Sequence, residues 1–286
     1  MSNAEQVQKM KESIQLVITN MMDRVMNNVL VKDPFIKVEH RGEKPLYAAL
    51  VPDEIFKGSH FERRFVTPFG KVWQQLALVA ANNGLGFGTQ EYTINGFVKS
   101  ERLRRITEIL NNLDHASKEG KRIKPDWKKE LEYVLAGDGE NVAVTVISDV
   151  YVEERKTINK LPTVIRRIAI ELKAPLPNSD QTKVSKEKIL KLYAMDPPQV
   201  DEAYYALPYN PYKTRENYNW SFPNRWFNMK EDKVVLIGDQ FWEKIGGEGT
   251  YKAFITAVNE IGKGYRDRIY REYLGIEPPE NDDMML

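Results

Sequence analysis

The run Val164-Ile-Arg-Arg-Ile-Ala-Ile-Glu-Leu-Lys-Ala-Pro-Leu-Pro-Asn178 leaves a chain few choices. It starts as a β-branched apolar stretch and stops at two prolines, the pattern of a buried strand cut off by a loop. Side chains alternate across a strand, so Glu171 and Lys173 share one face while Ile168, Ile170 and Leu172 share the other. A carboxylate and an ammonium side by side at the end of a buried strand carry a desolvation cost. Apolar residues would stabilise that position more readily, so the pair points to chemistry.

The segment before it pairs naturally with this strand. Val142-Ala-Val-Thr-Val-Ile147 is apolar, Asp149 to Arg155 alternates, and Asn159-Lys-Leu-Pro162 is a turn sequence. A hairpin folding at the turn sets Asp149 opposite Glu171, at a cross-strand distance of roughly 5 Å. Two carboxylates that close repel, and a divalent cation between them removes the conflict. Asp149 followed by Glu171-x-Lys173 therefore reads as a one-metal or two-metal site with a lysine beside it.

Asp149 and Glu171-Leu172-Lys173 resemble the PD-(D/E)XK nuclease motif. The continuation Ala174-Pro-Leu-Pro-Asn178, with Gln181 after it, resembles type II restriction endonucleases. Two further segments are similar to that group. Phe61-Glu62-Arg63-Arg64-Phe65 to Gly70 is similar to the glutamate-bearing helix that opens many such enzymes. Tyr209-Asn-Pro-Tyr212, Trp220-Ser-Phe-Pro223, Ile237 to Trp242 and Gly246 to Tyr251 look like the C-terminal half of the TdeIII-type branch. The residue before Asp149 is Ser148, not proline. The nearest Pro-Asp pair is Pro125-Asp126, which keeps Asp126 as the alternative first acid.

The resemblance implies an α/β fold with a mixed central β-sheet flanked by helices. It implies a Mg²⁺-dependent endonuclease acting on double-stranded DNA and leaving 5′-phosphate ends. Asp149 and Glu171 would hold the metal, with the Leu172 carbonyl as a further ligand. Lys173 would orient the attacking water, and Glu62 would be an outer acid. A palindromic target would suit a homodimer, and the branch favours short GC-rich sites.

Composition narrows the alternatives. The chain has 286 residues, 42% hydrophobic and 29% charged, with a formal net charge of +1. That is a soluble balance, and the expectation is one endonuclease domain over residues 1–274. It divides into a helical part (5–135), a catalytic core (140–195) and a recognition and C-terminal part (200–274). The proline- and acid-rich tail from Gly275 to Leu286 reads as disordered. No apolar run reaches the ~18 residues of a membrane span. The polar N-terminus shows no signal peptide and there is no cysteine, which together suit the cytoplasm. His40, His60 and His115 have no metal-ligand spacing.

Along the chain, apolar residues at three- and four-residue steps predict a helix over 5–30, packed within its own domain or shared between two copies. Residues 35–58 look irregular. A helix from Ser59 to Asn82 carries Glu62, either a favourable N-terminal charge or the outer acid. Arg63 and Arg64 are phosphate contacts or surface residues. Asn82 to Gly88 reads as a turn, and Ser100 to Leu113 and Asp126 to Leu135 as helices. Ser179-Asp180 reads as the N-cap of a helix to Met195. Its Lys183, Lys186, Lys188 and Lys191 either hold phosphates or form a solvated face. Tyr204 to Asn228 interleaves aromatics with Lys213, Arg215, Asn217 and Arg225. That composition suits base reading, or an irregular segment packed by its aromatics. Lys233 to Gly238 is a short buried strand and Thr250 to Arg271 a helix. Besides a restriction enzyme, the readings are a PD-(D/E)XK nuclease of repair or of a mobile element, and a non-catalytic DNA-binding protein. A glycosidase using Asp149 and Glu171 leaves Lys173 unexplained.

Overall fold

The computed structural model describes residues 3–115 and 122–279. The chain forms two compact units, residues 1–76 with 252–286, and residues 77–251.

The first unit is helical. α1 (Asn3–Asn27) continues into a π-helical turn at Asn28–Lys32. Met10, Ile14, Ile18, Met21, Val25 and Met26 form its buried stripe. This is the apolar face expected, and it is used inside the unit. α2 (Lys37–Glu43) and α3 (Pro45–Leu50) occupy the stretch expected to be irregular. Pro45 does not break α3 because it sits in the first turn, where no N–H is required. α4 (Asp53–Asn83) starts six residues earlier than its periodicity suggests and contains Pro68. Phe61 stacks on Phe65, Phe65 tilts against Phe69, Phe69 meets Trp73 edge-on, and Trp73 meets Phe254 of the C-terminal helix.

The second unit is a mixed five-stranded sheet in sequential order. Its strands are β1 (Gly86–Lys99), β2 (Asn141–Ile158), β3 (Leu161–Leu172), β4 (Glu202–Leu207) and β5 (Val235–Ile237). β1, β2 and β3 are mutually antiparallel, whereas β4 lies parallel to β3 and β5 parallel to β4. The expected hairpin is present. Asn159 and Lys160 form its turn with positive φ of 51° and 66°, as a two-residue hairpin requires. The glycine-rich stretch is only partly a turn. Gly84 and Leu85 turn, and Gly86 opens β1. A Cβ on Gly84 would lie 2.4 Å from the Gly246 carbonyl oxygen, so that close approach demands glycine.

Helices α5 (Ser100–Asp114), α6 (Trp127–Leu135) and α7 (Ser179–Ala194) share one core with the sheet. Asn178, not Ser179, caps α7, its side chain accepting from the Gln181 N–H at 2.8 Å. A short α8 (Ser221–Asn224) and α9 (Asp239–Gly246) follow, and α10 (Thr250–Arg268) ends in a π-helical segment. Most of the tail expected to be disordered lies outside the described residues. No helix among the described residues is long and apolar enough to cross a membrane.

One sequence expectation fails inside this core. Lys186 is not a phosphate contact. Its side chain has 0% exposure and pairs with Glu130 Oε2 at 2.5 Å. It also donates to the Trp226 carbonyl and lies 4.9 Å from the Phe227 ring centroid. Burial pushes its pKa down, while Glu130 opposes that shift. Removing one member of a buried ion pair leaves the other uncompensated, at a cost of about 3–5 kcal/mol. Lys186→Met is therefore expected to destabilise by that amount in urea unfolding, and Lys186→Met/Glu130→Gln to recover part of it. An unchanged midpoint for the single variant would show that Lys186 is no core residue.

Candidate active site

β2 and β3 are held in one register by their ladder. Val150 faces Ile170, Tyr151 faces Ala169 and Val152 faces Ile168. One step further along the same ladder sets Asp149 beside Glu171. Ser148 fixes this end. Fully buried, its hydroxyl donates to the Val150 carbonyl (2.8 Å) and accepts from the Ile170 N–H (3.0 Å). A side chain thus replaces a main-chain ladder bond at the point where the strand presents its acid. The position that holds proline in the motif is here a fastener between the two strands.

Four charged groups converge on this end. Asp149 Oδ2 accepts from the Leu172 N–H at 2.9 Å and from Lys173 Nζ at 2.5 Å. Lys173 Nζ also reaches Glu171 Oε2 at 3.3 Å. The fourth group is Lys188 on α7, whose Nζ lies 3.0 and 3.1 Å from the two Glu171 oxygens and 2.7 Å from the Ile147 carbonyl. The cluster grades from inside to outside: Glu171 is 1% exposed, Asp149 18%, Lys173 19% and Lys188 27%. Burial, and then repulsion from Asp149, push the Glu171 pKa up, and the two lysines hold it back. Burial works against the Lys173 ammonium, but Glu171 and Asp149 overcome it and raise its pKa.

The loop after Lys173 is fastened by the aromatic segment. Tyr218 donates to the Pro175 carbonyl (3.2 Å), Trp220 to the Pro177 carbonyl (2.8 Å) and Trp226 to Ser179 Oγ (3.0 Å). Prolines supply carbonyls without competing N–H groups. The Pro-x-Pro run therefore works as an acceptor strip that anchors the exit of β3.

The remaining candidates fall elsewhere. Asp126 is not near this cluster's bonds: it caps α6, accepting from the Lys129 N–H at 3.1 Å, with its pKa lowered by Lys129. Glu62 and Arg63 are exposed on α4 in the helical unit. Arg64 is paired with Asp33. Lys183 pairs with Asp114 at 2.7 Å. Two arginines expected at bases have fold partners instead. Arg215 donates to the carbonyls of Met229 (2.9 Å) and Asp232 (2.6 Å) and to Gln240 Oε1 (2.9 Å). Arg225 donates to the Leu113 and Asp114 carbonyls and pairs with the Asp114 carboxylate. Gln181, Lys213 and Asn217 are exposed.

The donor set suits a hard cation. Among the described residues no group of three or more His, Cys, Asp or Glu could hold a metal. Mg²⁺ needs only one or two carboxylates, completing its shell with water and substrate phosphate, and Asp149 with Glu171 supplies that number. Lys188, read from sequence only as a phosphate contact or part of a solvated face, pairs with Glu171. Its signal was its place on the helix that follows the catalytic strand.

Lys188 has a consequence for stability. With a folded pKa above its unfolded value, Glu171 favours folding most when protonated, and that contribution is lost as pH rises through the folded pKa. Lys188 lowers the penalty by pairing with the ionised form. Lys188→Met is expected to cost about 1–3 kcal/mol near neutral pH and less in acid, where Glu171 is protonated in both states. Urea unfolding at two pH values checks this. Equal losses at both would mean the two groups are not coupled.

Comparison with known proteins identifies the family. Residues 10–262 match the family described as type II restriction endonuclease, HinfI. The type II restriction enzyme HgiCII of Herpetosiphon aurantiacus is 25% identical over 235 residues, 81% of this chain and 82% of the relative. HgiBI and HgiEI of the same organism, also type II restriction enzymes, are each 23% identical over 224 residues, 77% of either chain. The family match covers far more than half of the chain, and the protein belongs to the HinfI family of type II restriction endonucleases, enzymes that cut DNA at specific sites.

Proposed function

We propose that this endonuclease is Mg²⁺-dependent, with Asp149, Glu171 and Lys173 at its catalytic centre, and that it leaves 5′-phosphate and 3′-hydroxyl ends. The observation that carries the reading is the cluster of Asp149, Glu171 and Lys173 at one open strand end. Asp149 and Glu171, with the Leu172 carbonyl, would hold the metal. When bound there it would activate a water and neutralise developing charge on the phosphate. Lys173, held as an ammonium by its two acidic neighbours, donates a hydrogen bond to the attacking water and stabilises the hydroxide as it forms. Lys188 pairs with Glu171 from behind, which favours its ionised form and orients it. In this reading the exposed Gln181, Lys213 and Asn217 are contacts for DNA.

Cleavage of plasmid DNA should stop in EDTA. Asp149→Ala and Glu171→Ala should abolish it, and Lys173→Met should slow it by about 10²–10⁴-fold, all with DNA binding retained. Full cleavage by Asp149→Ala would remove that residue from the centre. Internal fragments with 5′-hydroxyl ends would refute the proposed direction of cleavage.

A palindromic target and a homodimer form the second part of this reading, since two-fold DNA is matched most simply by two-fold protein. The apolar stripe of α1 is already covered within its unit. α2 and α3 bury none of their residues and expose Val38, Leu46, Tyr47 and Leu50. Helices this short are marginal without a packing partner, and a second copy would supply one. Leu46→Glu/Leu50→Glu should convert dimer to monomer in sedimentation velocity. A wild-type protein that is monomeric both free and on cognate DNA would end the dimer reading.

A further inference from the structure

The helical unit holds a cleft that none of the above uses. Its volume is about 520 Å³, and it lies between α1, the π-helical turn that follows, and α4. The floor is apolar, formed by the buried Met21, Val25 and Val72. The walls carry four cationic side chains, Arg24, Lys32, Arg64 and Lys71, and not one carboxylate. Asp33 neutralises Arg64 from outside the lining. Arg24, Lys32 and Lys71 are exposed, and none has an ion pair or side-chain hydrogen bond among the described residues.

Gathering cations in a concavity without counter-charges raises their mutual repulsion and creates a positive field that draws in anions. The neutral groups between them are side-chain amides and a hydroxyl, among them Asn28, Gln75 and Thr67. Arg and Lys with Asn, Gln and Thr is the set that contacts the phosphates of a duplex. Two of the groups, Asn28 and Lys32, stand on the π-helical turn, a rare geometry that recurs at functional sites. The chain as a whole has a net charge of only +1, so a polyanion must be met by local concentration of charge.

We propose that the α1–α4 cleft binds the phosphodiester backbone of duplex DNA, independently of sequence. This rests on the endonuclease reading and adds a second contact surface to it. Arg24, Lys32 and Lys71 hold phosphates, and the amides fix the strand's orientation.

The test is fluorescence anisotropy of the full-length protein on a labelled duplex, over a salt series, for wild type and for Arg24→Ala/Lys32→Ala/Lys71→Ala. Each lost phosphate contact reduces the slope of log K against log salt by about 0.9, so the triple variant should flatten it by about 2–3. Cognate and unrelated duplexes should weaken by the same factor, at least about tenfold at low salt. The urea midpoint should not move, because all three side chains are exposed. An unchanged slope and affinity in a variant whose wild-type parent cuts DNA overturns the cleft and leaves the endonuclease standing. A wild type that neither binds nor cuts DNA overturns both. Loss of inorganic pyrophosphate binding with an unchanged DNA slope would make this a small-anion site and also overturns the proposal.

Discussion

The register of β2 on β3 is the constraint on which the cluster of Asp149, Glu171, Lys173 and Lys188 depends. Side chains alternate with a period of two, so a slip of one residue would send Glu171 to the opposite face of the sheet. It would then lose Lys188, which approaches from α7. Ser148 guards against that slip. Its hydroxyl bonds both strands at the residue before Asp149. A serine elsewhere on β2 could not perform this role, because only here does the ladder give way to the site.

The second constraint is charge. Glu171 is almost wholly buried, and an isolated carboxylate there would be protonated rather than ionised. Two ammonium groups oppose this, one from its own strand and one from the helix behind. With Asp149 the cluster sums to no net charge, a balance that the fold tolerates. Fixing those lysines requires the strand exit to be rigid. Tyr218 and Trp220 do that by bonding the carbonyls of Pro175 and Pro177, which links the aromatic segment to the catalytic strand.

The hairpin, its register and the pairing of Asp149 with Glu171 could be read from the chain because period-two patterning and a strong turn signal are both local. The open choice between Asp149 and Asp126 is narrowed by geometry: a residue just before an amphipathic run is an N-cap, and Asp126 is one. β1 escaped notice because its glycines and threonines look like a turn until a partner strand is present to pair with. β4 was hidden inside an aromatic run. The lysines of α7 were misread as one group when their angular positions differ. Thr182, Ser185, Lys186 and Ile189 are all buried and fall at three- and four-residue steps, so Lys186 stands on the core stripe. Lys188, two residues on, stands at its edge and reaches Glu171. Helical periodicity contained that distinction, but the charge of the side chain obscured it.

The arginines of the 204–228 segment teach the opposite lesson. An irregular segment frees backbone carbonyls that no ladder satisfies, and buried ones must find donors. Arginine offers five N–H groups in a rigid fork, which suits it to carbonyls converging from several directions as well as to the edge of a guanine. Arg215 binds two carbonyls and an amide oxygen, and Arg225 binds two carbonyls and a carboxylate. Composition is identical in the two uses; what separates them is whether the guanidinium's donors are already taken. By that criterion the exposed Lys213, Asn217 and Asn219 differ from the two arginines, whose donors are engaged within the fold.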